Sequence, residues 1–214
     1  MAETKQKGYA RRVAVMLAGI AVMGVGVALF KLSLMGNDPS TAMVIAIGER
    51  VGVDFSLILI GMNCLWFLVE WRFAREMTGV GTFVNWFCVG PLASLTEKAV
   101  LARGPLPEAL LPRLALMLAG VLVLSFACAL YQTADVGIAP YDALSLVLSK
   151  KSGRKYFWCR MLTDSVCVAV AFLLGGIVGA GTLVCALGLG PFIQFFSRHA
   201  AQPLIYGKSA EEPR

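Results

Sequence analysis

Four apolar runs in this chain, Val13 to Leu34, Phe55 to Trp71, Leu114 to Ala134 and Tyr156 to Leu174, are long enough to cross a bilayer. The first, at about 1.5 Å per helical residue, covers about 33 Å against a hydrocarbon core of about 30 Å. Backbone placed in lipid must satisfy its own N–H and C=O groups, so such runs read as helices. Composition agrees: 58% of residues are hydrophobic and 15% are charged, where a soluble domain carries about 25% charged. An ordinary soluble enzyme, a disordered chain and a coiled coil are thereby excluded. The first run follows Lys5, Lys7, Arg11 and Arg12 as a signal peptide's would. Its 22 residues exceed the roughly 7 to 15 of such a segment, and no A-x-A site follows, so it reads as a retained membrane helix.

The formal charge of +6 comes mainly from basic residues between the apolar runs, where they orient a membrane protein rather than hold nucleic acid. Cys64, Cys88, Cys128, Cys159, Cys167 and Cys185 all sit in or beside apolar segments, and His199 is the sole histidine. None of these makes a CxxC or Cys/His spacing with ligand value, so no metal site, disulfide framework or Cys/His nucleophile is expected; the thiols read as small buried hydrophobes. The stretch Gly175 to Thr182 is glycine-rich but lacks the lysine of a phosphate loop and the βαβ setting of a dinucleotide fold. No nucleotide or other cofactor is expected.

An internal duplication organises the chain. At an offset of 101, Arg12 to Val53 overlays Arg113 to Arg154 with 13 identities in 42 positions. Gly36-Asn37-Asp38-Pro39 falls on Gly137-Ile138-Ala139-Pro140. At an offset of 100, Gly79-Val80-Gly81-Thr82 falls on Gly179-Ala180-Gly181-Thr182, and Gly90-Pro91 on Gly190-Pro191. Gly19, Gly24 and Gly26, echoed by Gly120, Ser125 and Ala127, read as close helix packing.

In these motifs the chain resembles the YczE/YyaS/YitT group of bacterial integral membrane proteins, whose halves each carry a G-x-x-P turn followed by a G-x-G-T segment. The resemblance covers about Arg12 to Arg198, and the second half fits best, with Gly137, Pro140, Asp142, Gly179, Gly181, Thr182, Gly190 and Pro191. Thr41 stands where the first half's pattern has Asp. The soluble C-terminal domain of the YitT branch is not expected, which brings the YczE-like branch closer. The resemblance implies a helical membrane fold and a transporter-like role, without a substrate.

Topology decides what the duplication means. If every short stretch crosses, each half has four segments, both halves start on one side, and 16 Lys and Arg residues fall inside against three outside. If Pro39 to Ile47 and Pro140 to Leu148 are instead re-entrant, the halves have three crossings each, invert, and divide the basic residues 14 to five. Both satisfy the positive-inside rule. The parallel four-plus-four arrangement has the larger bias and is expected. It gives an all-α polytopic fold of two tandem repeats about a pseudo-two-fold, divided into N-terminus 1–11, repeat 12–98, linker 99–112, repeat 113–198 and tail 199–214. Both termini and the linker would be cytoplasmic, in a bacterial inner membrane.

The short segments are where function is sought. A helix from Pro39 to Arg50 covers about 18 Å, so extended backbone at Gly36 to Asp38 and Gly137 to Ala139 would complete the crossing. Proline suits a first helical turn, so Pro39 and Pro140 mark helix starts inside the membrane, as Thr82 and Thr182 do after their Gly-x-Gly segments. Irregular backbone at membrane depth is tolerated where it lines a wet cavity, and helix N-termini there favour a polar or anionic group. Asp38, Ser40, Thr41, Tyr141, Asp142, Gly81, Thr82, Gly181 and Thr182 are therefore candidate solute contacts, although Asp38, Thr41, Asp142, Thr82 and Thr182 also suit plain helix caps. Asn63 and Asp164, overlaid at mid-helix, and Asn85 are candidates as polar groups at membrane depth. Arg160, one turn before Asp164, would pair with it, and Lys31 would snorkel.

The expected function is a transporter or channel-like facilitator for a small polar or anionic solute, driven by a coupling ion or the solute's own gradient, and working as a monomer or homodimer. A non-transporting membrane scaffold or regulatory protein is the alternative, and an intramembrane enzyme a more distant one. No catalytic residues are expected, since no His cluster, repeated carboxylate motif or Ser/Lys pair is present.

Overall fold

The computed structural model describes residues 2–106, 108–154 and 156–206, and every regular element among them is helical. The part of the expected tail from 207 to 214 lies outside the described residues. The elements are α1 (Ala2–Ser33), α2 (Pro39–Val51), α3 (Phe55–Phe73), α4 (Val80–Leu101), α5 (Leu110–Ala134), α6 (Pro140–Ser152), α7 (Tyr156–Leu173), α8 (Ala180–Phe196) and α9 (Gln202–Tyr206). A 3-10 turn at Arg75–Met77 precedes α4, and a π turn at Ser197–Ala201 joins α8 to α9. Gly8–Ser33, Phe55–Phe73 and Leu110–Ala134 are each long and apolar enough to cross a membrane alone. Ala180–Ala186 with Gly188–Tyr206 would make a fourth span, bent by 53°.

Helix boundaries follow local chemistry. Asp38 caps α2 by accepting the Thr41 N–H at 3.1 Å, with Pro39 in the first turn, and left-handed Gly52 closes the helix. Asp54 caps α3, and the Ser56 N–H that it accepts at 2.8 Å holds its carboxyl below the usual carboxylate range. α6 starts at Pro140 and stops at left-handed Gly153. Both long helices end in left-handed backbone, at Leu34 and Gly36 after α1 and at Asp135 and Gly137 after α5.

α1 and α5 form the central pair, with α4 against α1 and α8 against α5, while α2 packs on α7 and α6 on α3. The central pair is antiparallel. Arg12 in the N-terminal third of α1 donates to the Ala134 carbonyl at the end of α5, and Arg113 in the first turn of α5 donates to the Ser33 carbonyl at the end of α1. Between these ends Gly19 lies against Leu130, Gly26 against Leu124 and Gly120 against Phe30, with backbones close enough that any added Cβ would meet its neighbour within 3.1 Å. The glycines read as packing positions do pack.

This direction corrects the parallel four-plus-four expectation. Residues 12 and 113 sit at opposite ends of the bundle, so the linker is not on the same side as the N-terminus. The last described helix, α9, is on the side of Arg12, because the Tyr206 hydroxyl donates to the Thr133 carbonyl and α9 touches α1. Nor do α2 and α6 cross. α2 is entered from Leu34, whose carbonyl Arg113 holds, and is followed by Asp54 and Ser56, the latter bonded to Ser94 near the end of α4. α6 is entered from Asp135, paired with Arg12, and leaves through Lys150, paired with Glu76 just before α4. The extended Gly36 to Asp38 and Gly137 to Ala139 segments thus reverse the chain instead of completing a span.

Lys31 does not simply snorkel; it pairs with Glu97 at 2.6 Å over the Phe55 ring. The six cysteines are free, and Cys64 is exposed, contrary to the expectation that all are buried. Leu57, Leu65, Leu68 and Phe172 present large outward apolar faces, as lipid contact requires.

The tightest crossings are at Gly79, where an added Cβ would lie 2.3 Å from the Val136 carbonyl oxygen, and at Gly179, where it would lie 2.4 Å from that of Met35. Gly79→Ala and Gly179→Ala should each cost about 1–3 kcal/mol by overpacking. Melting in detergent should fall for both and stay near wild type for Gly61→Ala, whose Cβ meets nothing within 4 Å.

Candidate functional site

A cavity of about 570 Å³ lies among α1 to α8. Two inserted helix starts reach it: that of α2, bringing Asp38, Ser40 and Thr41, and that of α6, bringing Tyr141 and Asp142. Asn63 from α3, Asn85 from α4 and Asp164 from α7 complete the candidates on its wall. The other four do not reach it. Gly81 and Gly181 donate their N–H groups to the carbonyls of Val136 and Met35 at 2.9 and 2.8 Å. Thr82 is fully buried and accepts the Gly79 N–H, and Thr182 is buried against Gly36. These segments are dry seams between the halves, because only glycine lets two backbones approach so closely.

The cap reading applies unevenly. Asp38 and Thr82 do cap their helices. Asp142 does not; Ala139 occupies the cap position of α6 without a side-chain bond, and Asp142 looks elsewhere. Its Oδ2 accepts the Tyr131 hydroxyl and its Oδ1 pairs with Arg160 at 2.6 Å. Arg160 also reaches Asp164 Oδ1 at 3.2 Å, and Asp164 accepts the Tyr141 hydroxyl. The guanidinium carbon lies 4.7 Å from the centre of the Tyr141 ring. A single arginine therefore bridges two carboxylates, each braced by a tyrosine, and together they pin α5, α6 and α7. The expected Arg160 to Asp164 pair is present but is half of a larger network.

Sequence reasoning missed Arg160 as a cavity residue, along with Trp66, Gln132 and Gln194. The available signal was spacing: Arg160 and Asp164 are four apart, and Asp142 follows Pro140 by two, as Thr41 follows Pro39. The expectation of an anionic solute does not fit the lining, where Asp38, Asp142 and Asp164 face one basic residue, Arg160. The α2 N-terminus that was to attract an anion is already capped by Asp38.

Arg160→Met should leave the half-buried Asp142 and the buried Asp164 without their cation, a loss nearer the lower end of the about 3–5 kcal/mol that breaking a fully buried pair costs. Melting should drop sharply for the single variant and recover substantially when Asp164→Asn is added, which removes one orphaned charge.

A profile described as "Family of unknown function (DUF6198)" matches residues 10–198. An "Uncharacterized protein" of Haemophilus influenzae is 31% identical over 187 residues, covering 87% of this chain and 83% of that protein. In Bacillus subtilis, the "Uncharacterized membrane protein YczE" is 22% identical over 88% of this chain and 86% of its own, and the "Uncharacterized protein YyaS" is 24% identical over 85% and 92%. No solved structure matches the chain. The similarity to YczE and YyaS read from the glycine and proline motifs thus runs through the whole paired region, and the chain is a helical membrane protein.

Proposed function

We propose that this chain, which belongs to the DUF6198 family of unknown function, is a transporter or channel-like facilitator that holds a small polar solute in the cavity between α2 and α6. The observation that carries the reading is the pair of helix starts, Asp38 to Thr41 and Ala139 to Asp142, that both line one cavity. Secondary transporters use broken helices at the interface of two repeats in this way.

The architecture in this proposal is an inverted repeat, each half contributing three crossings and one re-entrant helix. Matched contacts support it. Arg12 on Ala134 and Asp135 corresponds to Arg113 on Ser33 and Leu34, and Gly81 on Val136 corresponds to Gly181 on Met35, all at offsets of 100 or 101. Counted along the sequence, this topology gives the side of the chain termini 14 Lys and Arg residues, Arg160 of the cavity wall among them, against five on the linker side, a bias that favours the cytoplasmic face of the inner membrane for the termini. One chain supplies the residues that line the cavity, so a second copy is not needed to form the site. A proton or other ion gradient, or the solute's own, supplies the energy, and the reading assigns no catalytic step to the chain. The dry Gly-x-Gly-Thr seams are what a scaffold would have, but a scaffold gives no reason for a roomy centre whose apolar wall carries Asp38, Asp142, Asp164 and Arg160.

Thr41→Cys, in a background lacking the six native cysteines, should react with a water-borne thiosulfonate from one side of the membrane, and the modified protein should lose proteoliposome uptake of any solute the wild type carries. A fully unreactive position 41 in a folded protein contradicts the reading.

A further inference from the structure

We propose that the solute is a small organic cation, an ammonium group on an apolar body, with Asp38 as its counter-charge; this deepens the transport reading of the same cavity. Arg160 is engaged by Asp142 and Asp164, and among the described residues no ion pair reaches Asp38, whose Oδ1 accepts the Thr41 N–H. A carboxylate in a cavity away from bulk water attracts a cation and repels an anion more strongly than it would in solvent.

The rest of the wall says which kind of cation. Met23, Val27, Leu59, Val89, Leu124 and Leu189 make it largely apolar. Among the described residues no group of three His, Cys, Asp or Glu side chains is arranged to hold a metal ion, so a bare inorganic cation would lack the oxygen shell it needs. Trp66 and Tyr141 lie in the same wall with ring centres 4.9 Å apart and planes tilted by 50°. Tyr141 already carries the Arg160 guanidinium on its face, and Trp66 is the strongest of the ring types for this interaction. Carboxylate, aromatic face and apolar walls together suit an ammonium with a hydrocarbon body. The volume of about 570 Å³ is that of a small-molecule site.

Asp38 as a helix cap alone is the competing account. Asparagine caps as well as aspartate, so Asp38→Asn separates charge from capping. Titration calorimetry on the full-length protein in nanodiscs would compare phenethylammonium, phenethyl alcohol and phenylacetate. Phenethylammonium should bind the wild type about tenfold or more tightly than the alcohol, the difference a charged hydrogen bond makes, and phenylacetate should bind weakest. Asp38→Asn should erase the preference for the ammonium while leaving the alcohol unchanged. Trp66→Leu, a second variant, should weaken the ammonium by about threefold or more relative to the alcohol. The inference is overturned if phenylacetate binds as well as phenethylammonium, or if Asp38→Asn binds the ammonium as wild type does. If neither variant folds, the three-ligand comparison on wild type decides. Ammonium binding without proteoliposome uptake contradicts the transport reading and leaves this inference standing, whereas preferential uptake of phenylacetate supports transport and overturns the inference.

Discussion

Two backbone hydrogen bonds hold the architecture together: Gly81 N–H to the Val136 carbonyl and Gly181 N–H to the Met35 carbonyl. A chain reversal inside a membrane leaves peptide groups without helical partners, and lipid offers none. Here the reversal after α1 is satisfied by the start of α8, and the reversal after α5 by the start of α4. The Leu34 and Asp135 N–H groups find partners in their own helices, at Lys31 and Gln132, but the Met35 and Val136 carbonyls are met from across the seam. Gly36 and Gly137 have positive φ, and a Cβ on either would lie within 2.8 Å of the opposite seam. The glycines are therefore the condition for these close crossings, which bring the starts of α2 and α6 to the wall of one cavity.

On this matched frame the polar groups are unmatched. At the offset of 101, Tyr131 corresponds to Phe30, Asp142 to Thr41, Arg160 to Leu59 and Asp164 to Asn63. The second half thus supplies the whole tyrosine, carboxylate and guanidinium network, and the first half answers with apolar or neutral residues. Asp38 is the exception, standing opposite Ala139. The charge is divided between the Arg160 network on α5, α6 and α7 and Asp38 at the start of α2, which no ion pair reaches among the described residues.

Much of this was legible in the residues. The G-x-x-P repeat located the starts of α2 and α6 at Pro39 and Pro140, and membrane-depth polarity singled out Asn63 and Asp164 as cavity-facing. Direction was not legible, because basic-residue counts of 16 to three and 14 to five both satisfy the same rule. What decides it is tertiary: each of Arg12 and Arg113 reaches the far end of the other half's helix. Gly81, Thr82, Gly181 and Thr182 misled for a related reason. A Gly-x-Gly-Thr segment looks the same whether its close approach is to a ligand or to another stretch of backbone, and here it is backbone. Arg160 was read as a neutraliser of Asp164, since intrahelical spacing reveals the i,i+4 partner and conceals Asp142 on another helix.

The central claim is that the two halves run in opposite directions through the membrane. Single cysteines at Tyr9 and at Arg103, both exposed, in an otherwise cysteine-free full-length protein, test it most directly when intact cells are treated with a thiol reagent that cannot cross the membrane. Residue 103 should be labelled from outside and residue 9 only after the cells are opened. Labelling of both positions from the same side would contradict the account.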